Sequence, residues 1–260
     1  MPTSDNVATL TPHPAASGSI ILADWDNTLC SGYTGMPWAE YLETAGLFRG
    51  ARTLQRLLDD AHRGAFPTYD MFCDEMAKAY AAGIIGTSER AVRTAAKAFV
   101  TTDSRRLFGF VRDLFTYLRE RGLPVVVITG APDEPMQEYA ARLGFSLAGT
   151  FQLEVQDGCY TGNVACNSGL CEKKREAVRR IVPGRRVLMA FGDSTADVPL
   201  WESAWASAGT GFIVVSEPRT QHEHPNLVPI DVTLPVAAIM QLVKGRMATH
   251  ESTSPKHARS

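Results

Sequence analysis

No apolar run in this chain of 260 residues approaches the ~20 residues needed to cross a bilayer, so no membrane partner is expected. A charge excess is missing too. With 26 Lys and Arg against 28 Asp and Glu, there is no basic footprint for nucleic acid. Cysteines number 5, at Cys30, Cys73, Cys159, Cys166 and Cys171. An odd count without a Cys-x-x-Cys pair argues against a disulfide framework. Cys159, Cys166 and Cys171 cluster, but no fourth ligand stands at finger-like spacing, and small buried apolar residues account for them better than a thiolate metal site. Residues 1–17 lack the basic start and apolar middle of a signal peptide and read as a disordered tail, which makes a cytoplasmic protein the expectation. The composition is not that of a disordered chain either. An apolar share of 45% and a charged share of 21% suit a globular protein with one large domain, or one domain plus a smaller insert. Nothing in the sequence speaks to oligomeric state.

The stretch Ile20-Ile21-Leu22-Ala23-Asp24-Trp25-Asp26-Asn27-Thr28-Leu29 organises the rest. A short apolar run with no room for a helix reads as a strand buried on both faces, as in a parallel sheet. In open α/β sheets, ligands bind beyond the carboxyl ends of the strands, which puts Asp24 and Asp26 at the mouth of a site. Two like charges so close raise each other's cost of ionisation. A hard divalent cation with a preference for oxygen ligands offsets that repulsion. The plainer alternative is an Asx turn at Asp24 and a helix N-cap at Asp26.

From about residue 36 to 103 no strand is convincing. Trp38, Tyr41, Leu42 and Ala45 fall at helical spacing after Pro37, as do Leu54, Leu57, Leu58 and Ala61. Tyr69, Phe72, Met76 and Tyr80 follow, ended by Gly83, and then Ala91, Ala95 and Val100. This breaks the βαβ rhythm and predicts an all-helical module over 35–103, inserted into an α/β core formed by 18–34 and 104–245. The alternation then resumes. An amphipathic helix runs from Leu107 to Leu118, a buried strand over Pro124–Ile128 ends in Thr129-Gly130, and a helix covers about Asp133–Leu143. Two alternating runs between Phe151 and Val164 flank Asp157-Gly158, a hairpin signature. A helix over Glu172–Ile181 carries Lys173 and Lys174, and a third buried strand over Arg186–Phe191 ends in Gly192-Asp193-Ser194-Thr195-Ala196-Asp197. A fourth strand over Gly211–Val215 and a helix over Val236–Val243 close the core, leaving 246–260 as a polar, disordered tail.

Three buried strands therefore end in small polar or acidic residues, and as neighbours in one parallel sheet their ends converge. Singly, each has an ordinary reading: Thr129 as an N-cap, Asp193 as a turn acid, Asp197 as a first-turn helix acid, Lys174 as a solvated charge. Spacing separates the two lysines, since Lys174 shares a helix face with Val178 and Ile181 while Lys173 does not.

Together the residues resemble a family. Asp-x-Asp-x-Thr after one strand, Thr-Gly after the next, a Lys on a later helix and Gly-Asp-Ser-x-x-Asp after another strand are similar to the four motifs of the haloacid dehalogenase-like phosphatases. The helical insert, the Tyr160-Thr161-Gly162 hairpin and the Gly-Asp-Ser-Thr-Ala-Asp wording resemble the phosphoserine-phosphatase branch with its helical cap. The resemblance implies a three-layer, Rossmann-like parallel sheet and a phosphatase acting on a small-molecule phosphate ester. It implies Asp24 as nucleophile forming an aspartyl-phosphate and Asp26 as general acid and base. It implies Mg²⁺ held by Asp24, the backbone carbonyl of Asp26, and Asp193, with Asp197 steadying the metal shell. Thr129, Gly130 and Lys174 would bind phosphate, and Thr28 would shape the loop. Phosphoserine phosphatases usually carry a Glu nine positions after the nucleophile; Tyr33 stands there, a departure that puts phosphoserine in doubt. Tyr33, Trp38 and Glu40 are candidate substrate contacts, although aromatics at helical spacing are more often core. A phosphomutase would share every site residue, a receiver domain would be much shorter and lack the insert, and a non-catalytic phosphate-binding protein would show no turnover.

Overall fold

The computed structural model describes residues 18–216 and 225–252. Expectations for 1–17 and 253–260 lie outside that range. Seven strands form one sheet in the order β4-β3-β2-β1-β5-β6-β7: β1 (Gly18–Ala23), β2 (Val125–Pro132), β3 (Ser146–Gln156), β4 (Cys159–Asn167), β5 (Arg185–Gly192), β6 (Thr210–Val215) and β7 (Leu227–Asp231). All neighbours run parallel except β3 and β4. β1 sits at the centre because it is apolar at every inner position, with Ile20 to Ala23 all buried. Its alternation serves two cores: Ile21 and Ala23 face one, Ile20 and Leu22 the other. That is the period-2 geometry of a strand covered on both sides.

The first core is closed by α5 (Val111–Glu120), α6 (Asp133–Leu143) and α9 (Val236–Ser252), the second by α7 (Cys171–Ile181) and α8 (Val198–Ala206). The molecule is thus a three-layer, mostly parallel α/β sheet, as the resemblance implies. Register brings the strand ends level. Ala23 pairs with Val127 on one side and Phe191 on the other, and the Asp24 amide continues the ladder to the Phe191 carbonyl at 3.0 Å.

Between β1 and β2 the chain forms α1 (Gly35–Thr44), α2 (Ala51–His62), α3 (Tyr69–Gly83) and α4 (Glu89–Asp103). Thr68 caps α3 by accepting from the Met71 amide at 3.2 Å, leaving one less orphan donor at the helix start. The turn from α3 to α4 is stitched to the hairpin. Gly86 donates to the Tyr160 carbonyl at 2.8 Å and Tyr160 to the Thr87 carbonyl at 3.0 Å. At Gly162, where φ is +89°, a side chain would run into that of Ile85, and glycine suits both the backbone conformation and the close approach. The hairpin turn is Asp157-Gly158 with φ of 52° and 77°, the left-handed pair of a type I′ turn.

Several boundaries differ from the sequence reading. β3 begins at Ser146 and pairs with β2 as well as β4. The helix expected from Leu107 begins at Val111, because Leu107 bridges Cys30 instead. β2 runs on to Pro132. β7, a short edge strand carrying Pro229, gave no alternating signal. The last helix does not stop at Val243 but continues to Ser252, so 246–252 is helix rather than tail. Met247 is 1% exposed and anchors it. Among the described residues no helix is long and apolar enough to cross a membrane.

Candidate active site

Asp24 follows β1 and is buried. The chain then folds back sharply: the amides of Thr28, Leu29 and Cys30 all donate to the Trp25 carbonyl, at 3.2, 2.8 and 3.1 Å. The turn requires φ of +56° at Asn27, which Asn tolerates better than most residues because its short side chain bonds locally. Here the Asn27 amide oxygen accepts from Gly32 at 2.9 Å.

Asp26 is held from one side. The amide and hydroxyl of Thr34 both donate to its Oδ1, at 2.9 and 2.5 Å. The same hydroxyl oxygen accepts from Trp25 Nε1 at 3.1 Å and Arg106 Nη2 at 3.2 Å. Arg106 is fixed in turn by a two-pronged pair with Asp103, at 2.6 and 2.9 Å, and Tyr139 donates to Asp103 at 2.6 Å. A polar chain thus runs from Asp26 to the end of α4. Burial pushes the Asp26 carboxyl up to about 6, against the pull of its Thr34 hydrogen bonds.

The opposite flank belongs to Lys174. It is 2% exposed, with Nζ 3.0 Å from Asp24 Oδ1 and 2.5 Å from Asp197 Oδ1. Burial alone would lower the ammonium, but Asp197 and Asp24 outweigh it and raise it. Lys173, one residue earlier, is on the solvent face with Glu176 at 2.9 Å. Asp197 is fully buried, and its other oxygen accepts from the amides of Asp193 and Ser194, both at 3.0 Å. Both of its oxygens are therefore spoken for. Thr28, fully buried, reaches Asp193 Oδ1 from its hydroxyl at 3.4 Å.

Asp24, Asp193 and Asp197 each present an oxygen within 4.8 Å of the others. One ammonium faces three carboxylates. Burial first, then Lys174 opposing and Asp197 and Asp26 adding, leaves Asp24 pushed up to about 7. Asp193 is raised by burial, Asp197 and Asp24. Asp24 Oδ1, buried and ion-paired to Lys174, has no well-aligned hydrogen bond. A set of crowded, under-compensated carboxylate oxygens suits a hard cation such as Mg²⁺.

Across the sheet, Thr129 is buried and its hydroxyl accepts from the Ala131 amide at 3.1 Å. Gly130 meets Gly169 backbone to backbone. A Cβ at Gly130 would stand 2.8 Å from the Gly169 Cα, so that position excludes a side chain, and one at Gly169 would be tight, 3.2 Å from the Gly130 Cα.

A cavity of about 820 Å³, counting its open mouth, brings Asp24, Asp26, Thr129, Gly130, Lys174 and Asp193 together with Tyr33. Trp38 and Glu40 are not part of it, which corrects the expectation that they contact substrate. Trp38 is fully buried, its ring 4.9 Å from Phe99 and 5.9 Å from Tyr41, and Glu40 is exposed to solvent. Sequence reasoning missed Thr34, Asn167 and Gly169. Thr34 directly before a helix carried an N-cap signal, but its hydroxyl is spent on Asp26 and makes no cap bond. Asn167, whose Oδ1 accepts from the Gly169 amide at 3.1 Å, carries no local signal beyond that of any Asn before a turn.

A family model for haloacid dehalogenase-like hydrolases matches residues 21–202. No curated protein is a significant match to the sequence. Among solved structures, a protein of unknown function from Bordetella pertussis Tohama I is similar with a TM-score of 0.64 and 21% identity, over 83% of this chain and 99% of that one. A phosphoserine phosphohydrolase-like protein from Francisella tularensis subsp. tularensis SCHU S4 follows with a TM-score of 0.60 and 16% identity, over 86% and 99%. A phospho-aspartyl intermediate analogue of phosphoserine phosphatase gives 0.59 and 16%, over 87% and 99%. At these identities the likeness is one of fold.

Proposed function

The chain belongs to the haloacid dehalogenase-like hydrolases, and from that premise we propose that it is a Mg²⁺-dependent phosphatase cleaving small phosphomonoesters through an aspartyl-phosphate on Asp24. The observation that carries the reading is the division of labour between the two carboxylates. Asp24 is paired with Lys174 on one flank, while Asp26 is held by Thr34 on the other, and both open into one cavity.

In the first half-reaction an oxygen of Asp24 bonds to phosphorus as the bond to the ester oxygen breaks, and Asp26 gives its proton to the departing alkoxide. In the second, Asp26 takes a proton from water as the water oxygen bonds to phosphorus and Asp24 is released as carboxylate. Ester plus water gives alcohol plus phosphate. Thr129, the Gly130 amide and Lys174 surround the phosphoryl oxygens and stabilise the charge that develops there. Asp24, Asp193 and the Asp26 carbonyl would hold Mg²⁺. When bound, the ion supplies the positive charge that lets an anionic ester approach an anionic nucleophile. Asp197, with both oxygens engaged, positions Lys174 and the Asp193 backbone rather than adding a ligand. The segment Gly35–Asp103 serves as a cap that shields this chemistry from bulk water.

Phosphate release from p-nitrophenyl phosphate, with and without EDTA, tests the proposal. Turnover that needs Mg²⁺ and disappears in Asp24→Asn is expected. Undiminished turnover by Asp24→Asn would overturn the assignment.

A further inference from the structure

The cavity is built from two unlike halves, and the half that does no chemistry has no charge. Every charged residue lining it (Asp24, Asp26, Lys174 and Asp193) sits at the strand-end side and is engaged in the chemistry above. The side facing the helices is lined by Tyr33, Leu54, Tyr69, Phe72, Met76 and Tyr80. Phe72 sits among other rings, with Tyr69 at 6.0 Å and Tyr33 at 6.2 Å. None of the charged residues of α3 lines the cavity: Lys78 pairs with Asp74 at 2.7 Å and Glu75 at 2.9 Å on the outer surface, and Asp70 is exposed, near Cys73 and Cys171.

We infer that the alcohol esterified in the substrate is uncharged and largely apolar, an aryl-alkyl or alkyl phosphomonoester, and that zwitterionic or cationic esters such as phosphoserine and phosphoethanolamine are poor substrates. The inference rests on the phosphatase reading and deepens it. An apolar stripe on α3 would be unremarkable if it were sealed in the core. It is not sealed: Tyr69 is 38% exposed and Met76 only partly buried, and both line the cavity. With phosphate at the strand ends, the leaving oxygen lies toward Asp26, so the organic group extends between α1 and α3. An ammonium or carboxylate carried there loses water and meets no opposite charge among the residues that line that half, and unpaired burial of charge is strongly unfavourable. An aromatic or alkyl group gains contact with the rings instead. The neutral phenols leave room for a hydroxyl or ether oxygen but supply no counter-ion. An apolar, aromatic wall facing a few convergent polar groups is the usual lining of a site for small organic ligands.

The test compares kcat/KM for 2-phenylethyl phosphate, O-phosphoserine and O-phosphoethanolamine, all primary alkyl esters, in the presence of Mg²⁺. A preference of at least about a hundredfold for the phenylethyl ester is expected. Equal or better use of phosphoserine or phosphoethanolamine would overturn the inference while leaving the phosphatase reading intact. Calorimetric binding of the same three esters to Asp24→Asn separates the two claims. No hydrolysis of any ester by the wild type, together with tight binding of the phenylethyl ester, would sink the phosphatase reading and support the binding preference. Tyr33→Glu places a carboxylate in the apolar half and should shift the ratio toward phosphoethanolamine by roughly tenfold or more. Met76→Glu serves if that variant fails to fold. No shift in the ratio in a folded variant would count against the inference.

Discussion

The two halves of the cavity contrast in how they are held. At the strand ends the side chains that flank the nucleophile are each fastened by more than one partner. Asp197 is fastened by an ammonium and two amides, Asp26 by two donors from one residue, and Lys174 by two carboxylates. The helical side has rings in loose contact, partial exposure and no ion pair into the cavity. Reaction chemistry requires donors and acceptors fixed to fractions of an ångström, and a parallel sheet supplies that rigidity. Choice among organic groups needs only shape and the absence of charge, which helices deliver without close positioning. The contrast assigns bond-breaking to the strand ends and selection to the helices.

Substitutions can break that contrast at either side. The largest expected effect is Asp24→Asn, which should lower kcat by roughly 10⁴-fold or more, as loss of a nucleophile does, with little change in Tm. Lys174→Ala should follow, at about 10²–10³-fold in kcat. Its Tm should fall as well, because it leaves Asp24 and Asp197 buried without their cation, a change worth about 3–5 kcal/mol. Lys173→Ala, on the solvent face, should stay close to wild type by both measures.

Thr34→Val probes the link to Asp26. It should cost about tenfold with alkyl phosphates, whose leaving groups need a proton, and less with p-nitrophenyl phosphate, whose leaving group does not. An equal loss with both substrates would show that Thr34 merely props up the loop. Trp38→Ala should cost about 3–5 kcal/mol of stability, read as a lower Tm, by opening a cavity in the aromatic core. The ratio of kcat/KM values for different esters should hardly move. Glu40→Ala should be the mildest, within about 0.5 kcal/mol and with unchanged kinetics.

The strand-end half was legible in the sequence because its signals are short and local. Asp24 and Asp26 two apart, Thr129-Gly130 and Gly192-Asp193 each follow a buried run, and parallel register then does the rest. The helical half was not legible, for a physical reason. The α3 stripe of Tyr69, Phe72, Met76 and Tyr80 has the same spacing whether it faces a sealed core or an open cavity. Trp38 and Tyr33 are both aromatic and near the start of the insert. Only the fold shows that one packs on Phe99 while the other lines the cavity. Arg106 and Asp103 gave no signal, since nothing local reveals that Arg106 reaches back across 72 residues to Thr34. The short edge strand β7 and the last turns of α9 escaped because their order comes from packing rather than pattern.

The account turns on Asp24 taking up the phosphoryl group. Acid quench during steady-state turnover, followed by borohydride reduction and peptide mass spectrometry, reads this directly. The acyl phosphate should be reduced to homoserine at position 24 and be absent from Asp24→Asn. Robust turnover with Asp24 unmodified and the label on another residue, or on none, would contradict the account.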